Sequence, residues 1–227
     1  MIDIEERFFE RGNPFCGFRV PIVTYTYDDH EKLNLDLIEI IDELDAFYRE
    51  VKKDTASNDD GSTLTKSILT HNFNNFNIFD RTEYDNIVKF KDFVSKCYKH
   101  YIETYTQFSL DDLWIQCWAN KVGKFDYLSK HSHMGYLSLE CCLSSNYFVK
   151  APGHETYTRY YSPLTINKDD YVYTPNVEGS LTIFPSFIEH DTSSNRNSNL
   201  YRYTLGMDVY EPKQYQFADR TYVKLIE

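Results

Sequence analysis

Gly179-Ser-Leu-Thr-Ile-Phe-Pro-Ser-Phe-Ile-Glu-His190 is the stretch on which the fold reading turns. Gly179 to Phe184 reads as a strand, Pro185 as a turn, and the following residues deliver His190 to the rim of a barrel. Downstream, Leu200 to Tyr210 alternates again, and within it Arg202 and Thr204 share one face because strand side chains repeat every two residues. Upstream, Lys130-His-Ser-His-Met134 sets His131 and His133 two apart, so on an extended segment both imidazoles aim at one spot.

Further strands are expected on both sides. Leu113 to Trp118 has period two and is followed by an expected turn at Asn120-Lys-Val-Gly123. Tyr136 to Cys142, Asn146 to Val149, Tyr157 to Tyr161 and Tyr171 to Tyr173 are extended candidates, with a break at Ala151-Pro-Gly153. Many short strands separated by turn signals indicate a barrel or jelly roll. The first third is different. Leu37, Ile38, Ile41, Leu44 and Tyr48 predict an amphipathic helix from Leu35 to Val51. A polar loop over Lys52 to Ser62 and a short extended stretch from Thr63 to Leu69 follow. Ile87, Phe90, Val94, Cys97 or Tyr98, Tyr101 and Tyr105 predict a second helix. These stripes read as packing surfaces. The fold class is therefore α+β, mainly β: a jelly-roll barrel with N-terminal supporting helices.

Composition bounds the function. Hydrophobic residues make up 41% of 227, enough for one domain with a sizeable core. The aromatic share of 17% favours strands and a ring-lined pocket. A net charge of -11 argues against a large nucleic-acid footprint, because phosphate binding needs concentrated Lys and Arg. An acidic surface serves solubility or steers cations inward. Cys16, Cys97, Cys117, Cys141 and Cys142 form no CxxC pair, so reduced thiols in a cytoplasmic protein are expected. The acidic start, Met-Ile-Asp-Ile-Glu-Glu-Arg7, lacks the apolar region of a secretory signal, and no apolar run is long enough for a membrane span.

Three histidines from two segments, His131, His133 and His190, form a candidate facial ligand set that leaves coordination positions open, as in a catalytic metal site. Imidazole suits Fe, Zn, Ni or Cu, so ligand type does not choose the metal. His30, His71, His100 and His154 read as ordinary surface or core residues. Arg202 beside Thr204 has two readings: a fork that grips a ligand carboxylate, or a salt bridge to one of the 35 acidic residues.

These residues carry a resemblance. Trp118-Ala-Asn120 with Gly123, His131-Ser-His133 with Leu137-Ser138, Gly179-Ser-Leu-Thr-Ile-Phe-Pro185-Ser with His190, and Arg202-Tyr-Thr204 resemble the 2-oxoglutarate-dependent Fe(II) oxygenases. Within them the likeness is to a bacterial and phage branch of the prolyl-hydroxylase-like group, and it covers roughly Trp114 to Tyr210. It implies a double-stranded β-helix over residues 111–212 of a single domain, with helical support and first strands over 1–110 and a tail over 213–227. It also implies Fe(II) and 2-oxoglutarate, whose oxidative decarboxylation to succinate is coupled to hydroxylation of a C–H bond with O2. Carried over, His131 and His190 are iron ligands, Arg202 clamps the distal carboxylate with Thr204 beside it, and Tyr127, Asn120 and Gln116 line the cosubstrate pocket. The substrate implied is a peptidyl proline or other amino-acid side chain, in a protein or a small molecule.

The pattern departs from the family at one position. His-x-Asp/Glu with a distant His is the common facial triad, and here the acidic position is His133. Either all three histidines bind, or His133 binds with His131 outside, or a carboxylate such as Glu140 or Asp126 approaches. The three-histidine set follows from the resemblance to this branch. Two rivals remain. A cupin-type metalloprotein shares the spacing of Gly179 and Pro185, but Glu140 lies seven residues after His133 and Phe187 stands where a cupin has Gly. A non-enzymatic jelly-roll binding module would use the aromatics alone.

Overall fold

The computed structural model describes residues 3–11, 18–51, 68–69, 77–107, 109, 112–133, 141–152, 155–164, 170–195, 200–210 and 222–225. Two antiparallel sheets face each other. The large sheet contains β1 (Asp3–Arg11), β2 (Phe18–Thr26), β3 (Ile68–Leu69), β4 (Trp114–Val122), β5 (Cys141–Lys150), β8 (Ser180–Pro185), β10 (Arg202–Tyr210) and β11 (Val223–Lys224). Its order is β1-β2-β8-β5-β10-β4-β11, with β3 also paired to β4. The small sheet contains β6 (Tyr157–Tyr161), β7 (Tyr171–Pro175) and β9 (His190–Thr192), in the order β7-β6-β9. From β5 onward the chain crosses between the sheets, and this interleaving makes the jelly roll.

Two helices, α1 (His30–Val51) and α2 (Asp85–Tyr105), pack on the far side of the large sheet. Leu33, Leu37, Ile40 and Ile41 of α1 and Ile87, Phe90, Val94, Tyr98 and Tyr101 of α2 are buried against Leu143, Tyr147, Leu181, Ile183, Leu205 and Met207. Polar contacts fix the docking: the Tyr98 hydroxyl donates to Ser145 Oγ at 2.8 Å and Asn34 Nδ2 donates to the Val149 carbonyl at 2.7 Å. Lys121 Nζ reaches Asp45 at 2.7 Å and Asp42 at 2.9 Å. Burial disfavours the Lys121 charge, but the two carboxylates outweigh it and raise its pKa.

Alternation decides which residues look where. On β10, Tyr203, Leu205, Met207 and Val209 belong to the helix-side core. Arg202, Thr204, Gly206 and Asp208 therefore face the small sheet. Every residue of β10 is buried, as expected for a central strand covered on both sides. The two sheets close on each other through Phe184, whose ring lies 4.9 Å from that of Tyr160, with Phe9, Ile22 and Ile188 around them.

Most expected elements form, with three differences. The turn expected at Asn120–Gly123 is instead the end of β4, because Asn120 pairs with Thr204 and Val122 with Arg202. The two short strands expected around Asn146 fuse into the continuous β5 where their residues are described, through pairing with β8 and β10. The strands β1 and β2, which no periodicity marks, precede the helices and extend the large sheet. Tyr136 to Glu140, Cys16, Gly61, His71, Gly153 and His154 lie outside the described residues. Cys97, Cys117 and Cys141 are buried free thiols. Among the described residues, no helix is long and apolar enough to cross a membrane.

Candidate metal centre

Leu128 to His133 lies alongside β9 and supplies what the small sheet lacks at that edge. Thr192 N donates to the Leu128 carbonyl at 3.2 Å, and His131 and His190 exchange backbone hydrogen bonds of 3.0 and 2.8 Å. His133 N donates to the Ser186 carbonyl at 3.0 Å. This pairing sets His131 directly opposite His190, and the two-residue repeat brings His133 to the same side. One ring nitrogen from each of the three imidazoles lies within 4.8 Å of the others. Ring centroids are 4.4 Å apart for His131 and His190, 5.1 Å for His133 and His190, and 5.4 Å for His131 and His133. Among the described residues this is the group able to share one metal ion.

The tautomers follow from the hydrogen bonds. His131 Nδ1 lies 2.6 Å from the Ser129 carbonyl and His190 Nδ1 3.1 Å from the Ile188 carbonyl. His133 Nδ1 lies 2.6 Å from Asp208 Oδ1. Carbonyl and carboxylate oxygens only accept, so each Nδ1 carries the hydrogen, and in the neutral ring Nε2 is the nitrogen left to accept or to ligate. Burial pushes the His190 pKa well below the ordinary value, and the neighbouring His131 and His133 push it further, against the Ile188 bond. Three imidazoles oriented in this way, with Nε2 free to ligate in the neutral ring, suit a divalent transition metal and leave positions for other ligands.

Asp208 is the residue the sequence reading missed. It is buried on β10, and its Oδ1 also accepts from Ser144 Oγ at 2.7 Å. Burial raises its pKa, but His133 and the donors Ser144 and Cys141 outweigh this and hold it below the ordinary carboxyl value. The signal was present in the chain: Asp208 has the same parity as Arg202 and Thr204 on one strand. Gln116 is buried opposite Asp208, and Trp118 opposite Gly206. The Trp118 ring lies 5.6 Å from His133, and Phe184 lies 4.8 Å from His190.

Arg202 occupies the other end of this face. It is 1% exposed, yet among the described residues no carboxylate pairs with it. Its Nη1 donates to the Ser193 carbonyl at 2.7 Å and its Nη2 to Thr192 Oγ1 at 2.8 Å, while buried Nε has no partner. Burial alone pulls its pKa down to about 10. Thr192 stands two residues after His190 on β9, so the guanidinium contact and the imidazole share a strand face about 7 Å apart. Asn120 Nδ2 donates to Thr204 Oγ1 at 3.3 Å, which places both in the wall beside Arg202. Of the expected residues, Tyr127 alone is exposed, at 41%, and makes no hydrogen bond to the group. Asp126 is buried and does not join the three histidines, and Glu140 lies outside the described residues.

The fold is similar to that of solved prolyl hydroxylases. A prolyl-4-hydroxylase from Pseudomonas putida covers 78% of this chain and 86% of its own, with a TM-score of 0.51 and 11% identity. A prolyl hydroxylase from Trichoplax adhaerens, solved with a hypoxia inducible factor oxygen degradation domain peptide fragment, covers 88% and 87%, with a TM-score of 0.53 and 10% identity. No family model matches the sequence, and no curated protein matches it. At such identities the likeness is one of fold.

Proposed function

We propose that the chain is a 2-oxoglutarate-dependent Fe(II) oxygenase that hydroxylates an unactivated C–H bond of a peptidyl proline or other amino-acid side chain. The observation that carries this reading is Arg202, a buried guanidinium whose Nε is unpaired and which meets no carboxylate among the described residues, on the strand face that leads to three convergent imidazoles. A buried cation left without an anion is costly, and a ligand carboxylate would remove that cost. A five-carbon diacid has the length to join the two ends, one carboxylate at the metal and the other at Arg202. A cupin-type metalloprotein, or a binding module without metal, leaves Arg202 unexplained.

His131, His133 and His190 would hold the metal, fixed in tautomer and direction by Ser129, Asp208 and Ile188. Fe(II) held there would supply, together with O2 and 2-oxoglutarate, the oxidising chemistry. Arg202 would clamp the distal carboxylate in the geometry that Thr192 and Ser193 impose, with Thr204, Asn120 and Gln116 lining the wall. Trp118, Phe184 and Tyr160 enclose the site with rings and limit access of water. The preference for a peptidyl substrate is supported by the Trichoplax adhaerens neighbour, which was solved with a peptide. The free thiols of Cys97, Cys117 and Cys141 are in keeping with a cytoplasmic setting.

Anaerobic titration of the protein with Fe(II) and 2-oxoglutarate tests the reading. A visible metal-to-ligand charge-transfer band is expected in the wild type and should be lost in Arg202→Ala and His131→Ala. Stoichiometric metal without a band would favour the cupin reading. No metal uptake would leave the jelly-roll binding module.

A further inference from the structure

We infer that Asp208 is the positioning carboxylate of the metal centre, supplying from behind His133 the negative charge that a carboxylate ligand would supply in the two-histidine, one-carboxylate arrangement. This rests on the functional reading above. The three imidazoles are supported unequally. His131 and His190 donate Nδ1–H to the neutral carbonyls of Ser129 and Ile188. His133, which occupies the position where the common triad has its acid, is the one that donates to a carboxylate, at 2.6 Å.

Asp208 is built for this contact and for little else. Among the described residues no Lys or Arg pairs with it, and its basic partner is the His133 ring. Ser144 donates to Oδ1 at 2.7 Å and the Tyr210 hydroxyl to Oδ2 at 3.3 Å, so the carboxylate is held on two sides and directed at the ring. A carboxylate behind an imidazole raises its donor strength and fixes its rotation. Three neutral histidines and one buried carboxylate also carry the same formal charge as two histidines and one carboxylate ligand. The charge sits one residue further from the ion.

Co(II) binding tests the inference under anaerobic conditions, read by titration calorimetry and by the visible Co(II) bands. Asp208→Asn is expected to weaken Co(II) binding by about 10- to 100-fold and to shift the bands. His133→Asp alone sets two carboxylates against each other, whereas His133→Asp with Asp208→Asn returns one charge to the site. The double variant should therefore bind Co(II) more tightly than either single variant. A purely structural Asp208 would lower the melting temperature without producing this pattern. Equal Co(II) affinity in wild type and Asp208→Asn, or a double variant no better than the singles, overturns the inference. Should Asp208→Asn fail to fold, the wild type still decides by proton NMR. The Co(II) form should show a hyperfine-shifted, exchangeable ring N–H from each of the three imidazoles, and absence of the His133 signal overturns the inference. If the wild type takes up no Co(II), or His131→Ala and His190→Ala bind it unchanged, the functional reading falls as well.

Discussion

On one face of β10, Tyr203, Leu205, Met207 and Val209 lie under the helices, while on the other Arg202, Thr204, Gly206 and Asp208 look toward three imidazoles. Both faces are buried, and they are built from alternate residues of the same strand. The helix side is held by apolar contact and a few hydrogen bonds from Tyr and Asn side chains. The other side buries a guanidinium that meets no carboxylate among the described residues, and a carboxylate whose basic partner is the His133 ring. Burying such groups opposes folding, so the helix-side core must offset it. The difference teaches that stability and chemistry are divided between the faces, and that buried polar groups without mutual pairing mark the working side.

If the division is real, substitutions should separate the two properties. His190→Ala should reduce metal content and succinate formation to background while the apo melting temperature moves little. Metal analysis and a succinate assay check this, and intact turnover would refute the metal assignment. Leu205→Ala, on the helix side, should cost about 2–5 kcal/mol in denaturant unfolding and leave the metal stoichiometry of the folded protein unchanged. Loss of metal in that variant would show that the faces are not independent.

Arg202→Met removes the buried charge and keeps most of the volume. The KM for 2-oxoglutarate should rise by about tenfold or more, as expected for truncating a buried charge pair, with metal content unchanged. Chemical denaturation of the apo-protein should show equal or greater stability, since an unpaired buried cation is gone. Gly206→Ala probes the boundary. A Cβ there would meet the Trp118 ring at 2.5 Å, so the indole must shift, at about 1–3 kcal/mol. Because that ring lies against His133, metal affinity should fall more than in Leu205→Ala, despite the smaller loss of stability.

The smallest effect is with pH. His190 has a folded pKa below its unfolded value of about 6.5, so the unfolded chain binds more protons in the window beneath it. This contribution to stability is complete above about pH 6.5 and is lost as pH falls toward the folded value, at no more than about 1.4 kcal/mol per pH unit for one proton. Melting curves of the apo-protein from neutral to acidic pH should show this slope, and His190→Ala should flatten it.

Much of this was legible in the chain. Helical periodicity located α1 and α2, although α1 begins at His30 rather than Leu35, where Leu33 adds an earlier apolar contact. Strand alternation predicted that His131 would share a side with His133, and Arg202 with Thr204, because the direction of a side chain on a strand is a local property. By contrast, Asp3–Arg11 is so densely charged that no apolar alternation survives, yet it pairs along β2 at the edge of the sheet, where charge is tolerated.

What the sequence determined by itself was the set of donors and their spacing: two histidines two positions apart, a third after the Gly–Pro segment, and an arginine on a late strand. Tertiary structure decided whether they meet, which nitrogen each ring presents, and that Arg202 buries its charge with no acid beside it among the described residues. It also turned Asp208 from one more acid into the partner of His133. The reason is physical. Facing direction is set by neighbouring bonds along the chain, whereas hydrogen-bond partners, burial and charge balance depend on pairing between β10, β9 and the segment at 128–133, which lie far apart in sequence.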